Sequence, residues 1–414
     1  MSNTPTALIV ATMDTKGQEA LFIVECLKAE GITVKIMDAG IKGQCPTPVD
    51  VTREEVARAG GKSLQDVQNL GHEGKALEVM TSGAIQCAQE LYHQNQVQGI
   101  IGIGGSMGTT LGSGVMRSFP VGLPKVMIST MASRDTRAFV GTKDILMLHS
   151  VCDLAGLNQV TRKILRNGAH ALVGMLRSAV TDDATDQRPL VFISTLGTTE
   201  ACAREIRRTM EEDNNEVVIF HTVGSGGKAM EEMIQQEDVS MLVDLSLHEM
   251  ADHRFGGDYD AGPKRGTVAL DRGIPTILVP GNIDFLVTGP LENAQKQFPN
   301  RPYHCHNAAI TVVRTNQEEI KTMAEAIAGL CNNAKGPVKI FVPMNGFSAF
   351  DHKEGPLHDP EAPGIFLKSL EKNLHDKSCL EALPFYINDS EFAQAIIDVS
   401  YRISPDIVDI IARK

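Results

Sequence analysis

Between residues 98 and 137 the chain twice carries an apolar, strand-length run into a cluster of glycines and hydroxyls. Residues 99–103 break into Gly104-Gly105-Ser106-Met107-Gly108-Thr109-Thr110, and residues 126–128 into Ser129-Thr130-Met131-Ala132-Ser133. A strand that stops at such a turn and continues as a helix leaves backbone N–H groups free above the turn, and glycine lets an anion approach them. The carboxyl edge of a parallel sheet is where such turns gather. No Asp or Glu occurs from residue 91 to residue 134, although Arg117, Lys125 and Arg134 do, in a chain whose formal net charge is −12. The stretch reads as a phosphate or carboxylate cradle; the competing reading is a tight strand-to-helix turn whose glycines serve only packing.

The same succession opens the chain. Residues 7–11 are strand-like, Thr12-Met13-Asp14-Thr15-Lys16-Gly17 is a turn, residues 19–29 carry Leu21, Val24 and Leu27 at helical spacing, and residues 32–37 are the next strand. Asp14, Thr15 and Lys16 thus stand at a strand's carboxyl end, where doubly wound sheets carry ligand groups. The plainer alternative makes Thr15 a helix cap and Asp14 with Lys16 a surface pair. Residues 40–52, with Pro46 and Pro48, are long enough for a lid or an edge excursion. Helices are expected at 53–59, 74–91 and 157–175, and a strand at 144–149. Gly61-Lys62-Ser63 imitates the tail of a Walker A loop, but Val56 fills the partner glycine position.

A small, acidic, proline-ended run at 182–189 reads as a linker. Beyond it the pattern restarts: strand 190–194, turn Thr195-Leu196-Gly197-Thr198-Thr199, helix 201–210, strand 217–221. Gly74-Lys75-Ala76-Leu77-Glu78-Val79-Met80 is answered by Gly227-Lys228-Ala229-Met230-Glu231-Glu232-Met233, and Gly122-Leu123-Pro124-Lys125-Val126 by Gly273-Ile274-Pro275-Thr276-Ile277. The economical architecture is α/β with mainly parallel sheets. It comprises an N-terminal Rossmann-like subdomain over 1–181, a linker over 182–189 and a C-terminal Rossmann-like subdomain over 190–414. The two are related by an internal repeat and have a ligand cleft between them.

The second half carries its own candidates. Thr222-Val223-Gly224-Ser225-Gly226-Gly227-Lys228 is again strand, glycine turn and helix, without the hydroxyl that a Walker A motif places after its lysine. Asp244, at the end of an apolar run, either holds magnesium or caps the next helix. His248 and His253 are five apart rather than four, so they do not share a helix face as zinc-protease histidines do. His304, His306, His352 and His358 lie in polar, turn-rich loops, and nothing in their spacing gathers them. Helices are expected at 362–374 and 390–402.

Composition excludes several classes. The eight cysteines are scattered and never C-x-x-C, which fits reduced thiols in a cytoplasmic protein without a cysteine-rich zinc site. An acidic balance, the absence of a long basic run, zero Trp and five Tyr argue against nucleic acid as a partner. No apolar run reaches the roughly 18 residues a membrane span needs, and no basic region precedes the first apolar run as in a signal peptide.

Several stretches, taken as a set from about residue 8 to about residue 397, resemble one family. They are Met13-Asp14-Thr15-Lys16-Gly17, Gly104-Gly105-Ser106 with Gly108-Thr109, Ser129-Thr130-Met131-Ala132-Ser133, Val151-Cys152-Asp153-Leu154-Ala155-Gly156-Leu157-Asn158, Gly226-Gly227-Lys228-Ala229-Met230-Glu231, Ala261-Gly262-Pro263, His306-Asn307 and Ile387-Asn388-Asp389 with Phe392-Ala393. The chain is similar to the Tm-one-like ATP-binding domain family, typified by a plant tobamovirus-resistance protein. The resemblance implies two Rossmann-like subdomains, ATP binding and a homodimer, with no general reaction. Arg134 stands where that family commonly has glycine, and Lys228 where arginine is common; the first adds a cation and bulk beside the cradle.

The leading expectation is a phosphorylated nucleotide, ATP with Mg2+, held at the carboxyl edges of the sheets. Its residues would be Asp14, Thr15, Lys16, Gly104, Gly105, Ser106, Gly108, Thr109, Thr130, Ala132, Ser133, Arg134, Gly226, Gly227 and Lys228, with Asp14 or Asp244 on the metal. A small-molecule second substrate is left open. The alternatives are an isomerase, lyase or hydrolase for a small anionic metabolite, and an NADP-dependent oxidoreductase. Against the last, Gly102, Gly104 and Gly108 give G-x-G-x-x-x-G and no acidic residue ends the strand near Ser129. An interaction module with a structural nucleotide also fits.

Overall fold

The computed structural model describes residues 4–178 and 187–407. Backbone contacts divide the chain into two units, Met1–Thr185 and Asp186–Lys414. Of the expected linker, residues 182–186 lie outside the described residues.

The first unit is built on five strands: β1 (Thr6–Ala11), β2 (Thr33–Asp38), β3 (Gly99–Gly104), β4 (Lys125–Ser129) and β5 (Leu146–His149). All pair in parallel, in the order β2-β1-β3-β4-β5. Strand residues alternate between two cores, as a sheet covered on both faces requires. Ala7, Ile9 and Ala11 of β1, Ile101 and Ile103 of β3, and Val126 and Ile128 of β4 pack under helices Met13–Ala29 and Gln159–Ser178. Leu8, Val10, Ile100 and Met127 face the other way, onto helices Arg53–Ala59, Glu73–His93 and Ser106–Arg117.

The second unit repeats the theme with a larger sheet. Its strands are β6 (Leu190–Thr195), β7 (Glu216–His221), β8 (Val239–Ser246), β9 (Thr276–Gly281), β13 (Val338–Pro343) and β14 (Leu380–Leu383), all parallel in the order β14-β13-β9-β8-β6-β7. Between β9 and β13 the chain forms a small antiparallel sheet of β10 (Phe285–Thr288), β11 (Tyr303–Cys305) and β12 (Thr311–Arg314).

The two sheets share a winding in which the second strand lies outside the first and the third and fourth follow on its other side. The short sequence matches fall at equivalent places in it. Gly74 to Met80 and Gly227 to Met233 lie in the helices leading into the third strands, β3 and β8. Gly122 and Gly273 begin the turns into the fourth strands, β4 and β9.

Two expectations are corrected. Residues 13–17 are not a turn: the helix starts at Met13, with only Lys16 off helical geometry (φ −123°, ψ 15°). The antiparallel insertion was not anticipated; the stretch around His304 read as loop. Among the described residues no helix is long and apolar enough to cross a membrane.

Candidate functional site

In the first sheet the chain leaves β1 toward β2 on one side and leaves β3 toward β4 on the other. The carboxyl ends of β1 and β3 therefore flank the point where the winding reverses, and the diverging connections leave a crevice above them. A cavity of about 620 Å3 fills this crevice. Its floor is Thr12, Asp14, Thr15 and Lys16 from the end of β1, with Gly104, Gly105, Ser106 and Gly108 from the end of β3. One wall is apolar, from Ile41, Val67, Ala76 and Leu77, and Lys42, His72 and Glu73 stand at its edge.

The helix Ser106–Arg117 begins at Gly105 with no side-chain cap, so its first-turn N–H groups face the crevice without a protein acceptor of that kind. The glycines divide by role. A Cβ on Gly104 would lie 2.6 Å from the Cα of Gly108, so Gly104 is needed for the strand to meet the helix. A Cβ on Gly105 would meet only Thr130 Oγ1, at 3.8 Å, and its φ of −78° suits any residue. Packing and backbone conformation give no reason for glycine at 105; the open space beside it does.

At the end of β1 the Thr12 and Thr15 hydroxyls bond each other at 2.8 Å. Asp14 accepts the Lys42 backbone N–H on Oδ2 at 3.0 Å, while its buried Oδ1 has no hydrogen-bond partner among the described residues. The loop over 40–52 is a pinned excursion rather than a free lid: Pro46 packs on Gly17, Arg53 donates to the carbonyls of Lys42 and Gly43, and Val51 bridges to Met37.

Other expected residues fall outside this cavity. Thr109 is fully buried and its hydroxyl is bonded to Ser129 Oγ at 2.6 Å, so it braces β4 against the helix instead of facing a ligand. Thr130 donates its N–H to the Gly104 carbonyl at 3.3 Å and brings its hydroxyl near Gly105, but it does not line the cavity. Ala132, Ser133 and Arg134 lie in the turn after β4, with Ser133 and Arg134 exposed, and none of the three lines the cavity.

The glycine turn of the second unit is closed from within. Glu249 Oε1 accepts the N–H groups of Gly224 (2.6 Å) and Gly227 (3.1 Å), supplying the anion that the helix start attracts. A Cβ on Gly227 would strike the Glu249 carboxylate, so this glycine makes room for the protein's own side chain. Lys228 is exposed and Gly226 packs on His221. Asp244 is not placed as a metal ligand: both its oxygens are held by the buried Arg265 guanidinium (2.5 and 2.7 Å), and Ser194 donates to it at 2.5 Å. Arg265 also meets Glu249 at 2.7 Å and Glu231 at 3.6 Å; burial pushes the Glu231 carboxyl up to about 7 against the pull of that arginine.

A second cavity, of about 520 Å3, lies at the carboxyl ends of β13 and β14, lined by Asn345, His352, His358, Asp359, Tyr386 and Asp389 among others. His358 donates from Nδ1 to the Asp351 carbonyl at 2.8 Å, which leaves Nε2 as the ring's acceptor. The four loop histidines do not converge as ligands: His304 and His306 pack on Phe350 and His352 on Tyr386. Among the described residues no three His, Cys, Asp or Glu gather to hold a metal. Reading of the sequence also missed Asp38, the last residue of β2, whose Oδ1 accepts the N–H groups of Met13 (3.0 Å) and Gly40 (2.8 Å). Its place at a strand's carboxyl end was the available signal.

Comparison with known proteins gives two family matches: residues 5–181 to the N-terminal domain and residues 188–404 to the C-terminal domain of the uncharacterised protein family UPF0261. A UPF0261 protein of Clostridium tetani is 36% identical over 94% of this chain and 96% of its own length. One from Rhizobium meliloti is 32% identical over 95% and 98%. The ToMV resistance protein Tm-1(GCR237) of Solanum lycopersicum is 30% identical over 98% of this chain, which spans 56% of that longer protein.

Proposed function

The chain belongs to the uncharacterised protein family UPF0261, and from that premise we propose that its first unit binds a phosphorylated nucleotide, ATP foremost. One observation carries the reading: the cavity at the reversal of winding opens onto an uncapped helix start, and Gly105 keeps that approach clear. Phosphate oxygens would accept the N–H groups at Ser106 to Gly108, and Lys16 and Lys42 would balance their charge. The wall of Ile41, Val67, Ala76 and Leu77 offers apolar surface to a base, as pockets with few placed polar groups do.

Magnesium fits this floor better than it fits Asp244. Among the described residues the buried Asp14 Oδ1 has no hydrogen-bond partner, whereas both Asp244 oxygens are taken. Magnesium is commonly held by one or two carboxylates together with phosphate and water, so a three-residue cage is not required. When bound, the ion neutralises phosphate charge.

Calorimetric titration of the whole chain with ATP, ADP and NADP, with and without magnesium, tests the proposal. Saturable ATP binding, tighter than NADP, is expected; tighter NADP would move the reading to a dinucleotide enzyme. Release of ADP or phosphate over hours would separate an ATPase from a binder.

His358, which lines the second cavity and whose Nε2 is engaged by none of the described residues, favours one further reading, proton transfer on a small anionic metabolite. Binding of a small carboxylate such as pyruvate that is lost in His358→Gln and kept in Gly105→Val would support it.

A further inference from the structure

The wall of the second cavity is organised by one buried carboxylate. Asp351 is 0% exposed and belongs to the loop that supplies His352, Lys353, His358 and Asp359 to the cavity. Its Oδ2 accepts the Phe347 N–H at 3.1 Å and its Oδ1 the Asp359 N–H at 3.0 Å, so the carboxylate closes the loop from within. The main-chain carbonyl of the same residue accepts His358 Nδ1–H at 2.8 Å, and Asp351 Oδ1 lies 3.8 Å from that nitrogen. A ring held in this way has its proton on Nδ1 and its lone pair on Nε2.

A carboxylate buried this deeply needs a counter-ion. Arg314, the last residue of β12 and 5% exposed, brings Nη1 to 3.1 Å from Asp351 Oδ1 and 3.5 Å from Asp284 Oδ2, with Nη2 3.9 Å from Asp359. The antiparallel insertion thus delivers a cation to the loop that walls the cavity. Burial raises the Asp351 carboxyl, and Arg314 and the two N–H groups pull it back toward the ionised form. Burial pushes Asp284 up to about 7, so on acidification it is the first of the two to take a proton, which leaves Asp351 charged near neutral pH. Of the other titratable groups at the wall, His352 packs on Tyr386, and His352 and Lys353 are exposed, so solvent screens their charges; Asp359 and Asp389 are half-buried.

We propose that Asp351 is the positioning residue of this cavity: it fixes the His358 ring with Nε2 as the acceptor, and its charge stabilises the ring once Nε2 has taken a proton from a ligand. For that chemistry it rests on the preceding reading of His358; as an account of the ring's orientation and charge it stands on its own.

The test is nitrogen-15 magnetic resonance of the whole chain labelled in its histidine rings, titrated with acid, with His358→Gln identifying the signal. Wild type is expected to show the Nδ1–H tautomer at His358. In Asp351→Asn, which keeps the main-chain acceptor and loses the charge, the His358 midpoint should fall by roughly half a pH unit or more. Asp351→Glu restores the charge and should bring the midpoint back toward that of wild type, whereas a loop merely loosened by substitution would move both variants alike. The remaining histidine signals would verify that each variant is folded, and the tautomer, read on wild type, decides even where a variant does not fold.

An Nε2–H ring in wild type, equal midpoints in wild type and folded Asp351→Asn, or an equal fall in Asp351→Glu overturns the proposal. The expected titrations together with pyruvate binding that ignores His358→Gln would uphold the positioning role and defeat the proton-transfer reading. Pyruvate binding lost in His358→Gln, with a midpoint indifferent to Asp351, would do the reverse.

Discussion

A buried charge is decided by its immediate partners. Arg265 is 2% exposed and is met by Asp244, Glu249 and Glu231, so removing it leaves carboxylates buried without their counter-ion. Arg265→Leu is expected to cost about 3–5 kcal/mol, read by chemical denaturation; a loss under about 1 kcal/mol would mean that the cluster relaxes to solvent. Lys228→Ala, by contrast, should change stability by less than about 0.5 kcal/mol and leave ATP affinity unaltered, since Lys228 is exposed beside amides that Glu249 already occupies. The sequence displayed both glycine turns but could not tell them apart. The residue that closes the second one, Glu249, stands 22 positions beyond Gly227, and only folding brings it there. Asp14 and Lys16 were legible because a strand-to-helix junction exposes its first residues whatever the rest of the chain does. Thr109 was not, because its hydroxyl is spent on Ser129 from the neighbouring strand.

Elements with local signals were read closely. Helix Arg53–Ala59 announces itself through a capping box, Thr52 with Glu55, and strands such as β1, β3 and β6 through largely apolar runs, whereas β9, β13 and β14 were not read as strands. The antiparallel insertion β10–β12 gave no such signal: its strands are three or four residues long, and β11 is polar. The turn from β9 into β10 carries a pH dependence of its own. Burial, then the Asp351 charge, pushes the Asp284 carboxyl up to about 7 against Arg314. Between about pH 4 and pH 7 the folded chain holds a proton there that the unfolded chain has lost, so this group's contribution falls as pH rises. Burial drives His248 the other way, down to about 4, so its contribution is complete above about pH 6.5 and is lost on acidification toward 4. Asp284→Asn should therefore stabilise the protein by on the order of 1 kcal/mol at pH 8 and by little at pH 4.5. Thermal unfolding across that range measures the difference, and a gap that is constant with pH would refute the assignment. The Asn oxygen can still accept from Ser348, which keeps the comparison clean.

At the scale of the whole chain, each unit has its own sheet and its own cores. The restart of the pattern after residue 189 made that division legible, and the equivalent placement of the short matches gives it a structural basis. What the sequence could not convey is which unit keeps an open site, because that depends on whether a side chain reaches the glycine turn. Every residue lining the larger cavity lies between Thr12 and Gly108. Residues 1–181 expressed alone are therefore expected to fold and to bind ATP within about threefold of the whole chain, a difference under about 0.7 kcal/mol. Loss of binding in a folded fragment would mean that the site needs the second unit.

The most direct test of the nucleotide site is Gly105→Val, compared with wild type by calorimetric titration of ATP with magnesium and by melting temperature. A side chain at 105 enters open space beside the helix start, so ATP binding should fall at least tenfold while the melting temperature moves by no more than about 2 °C. Undiminished ATP binding by the folded variant would contradict the account and place the ligand elsewhere.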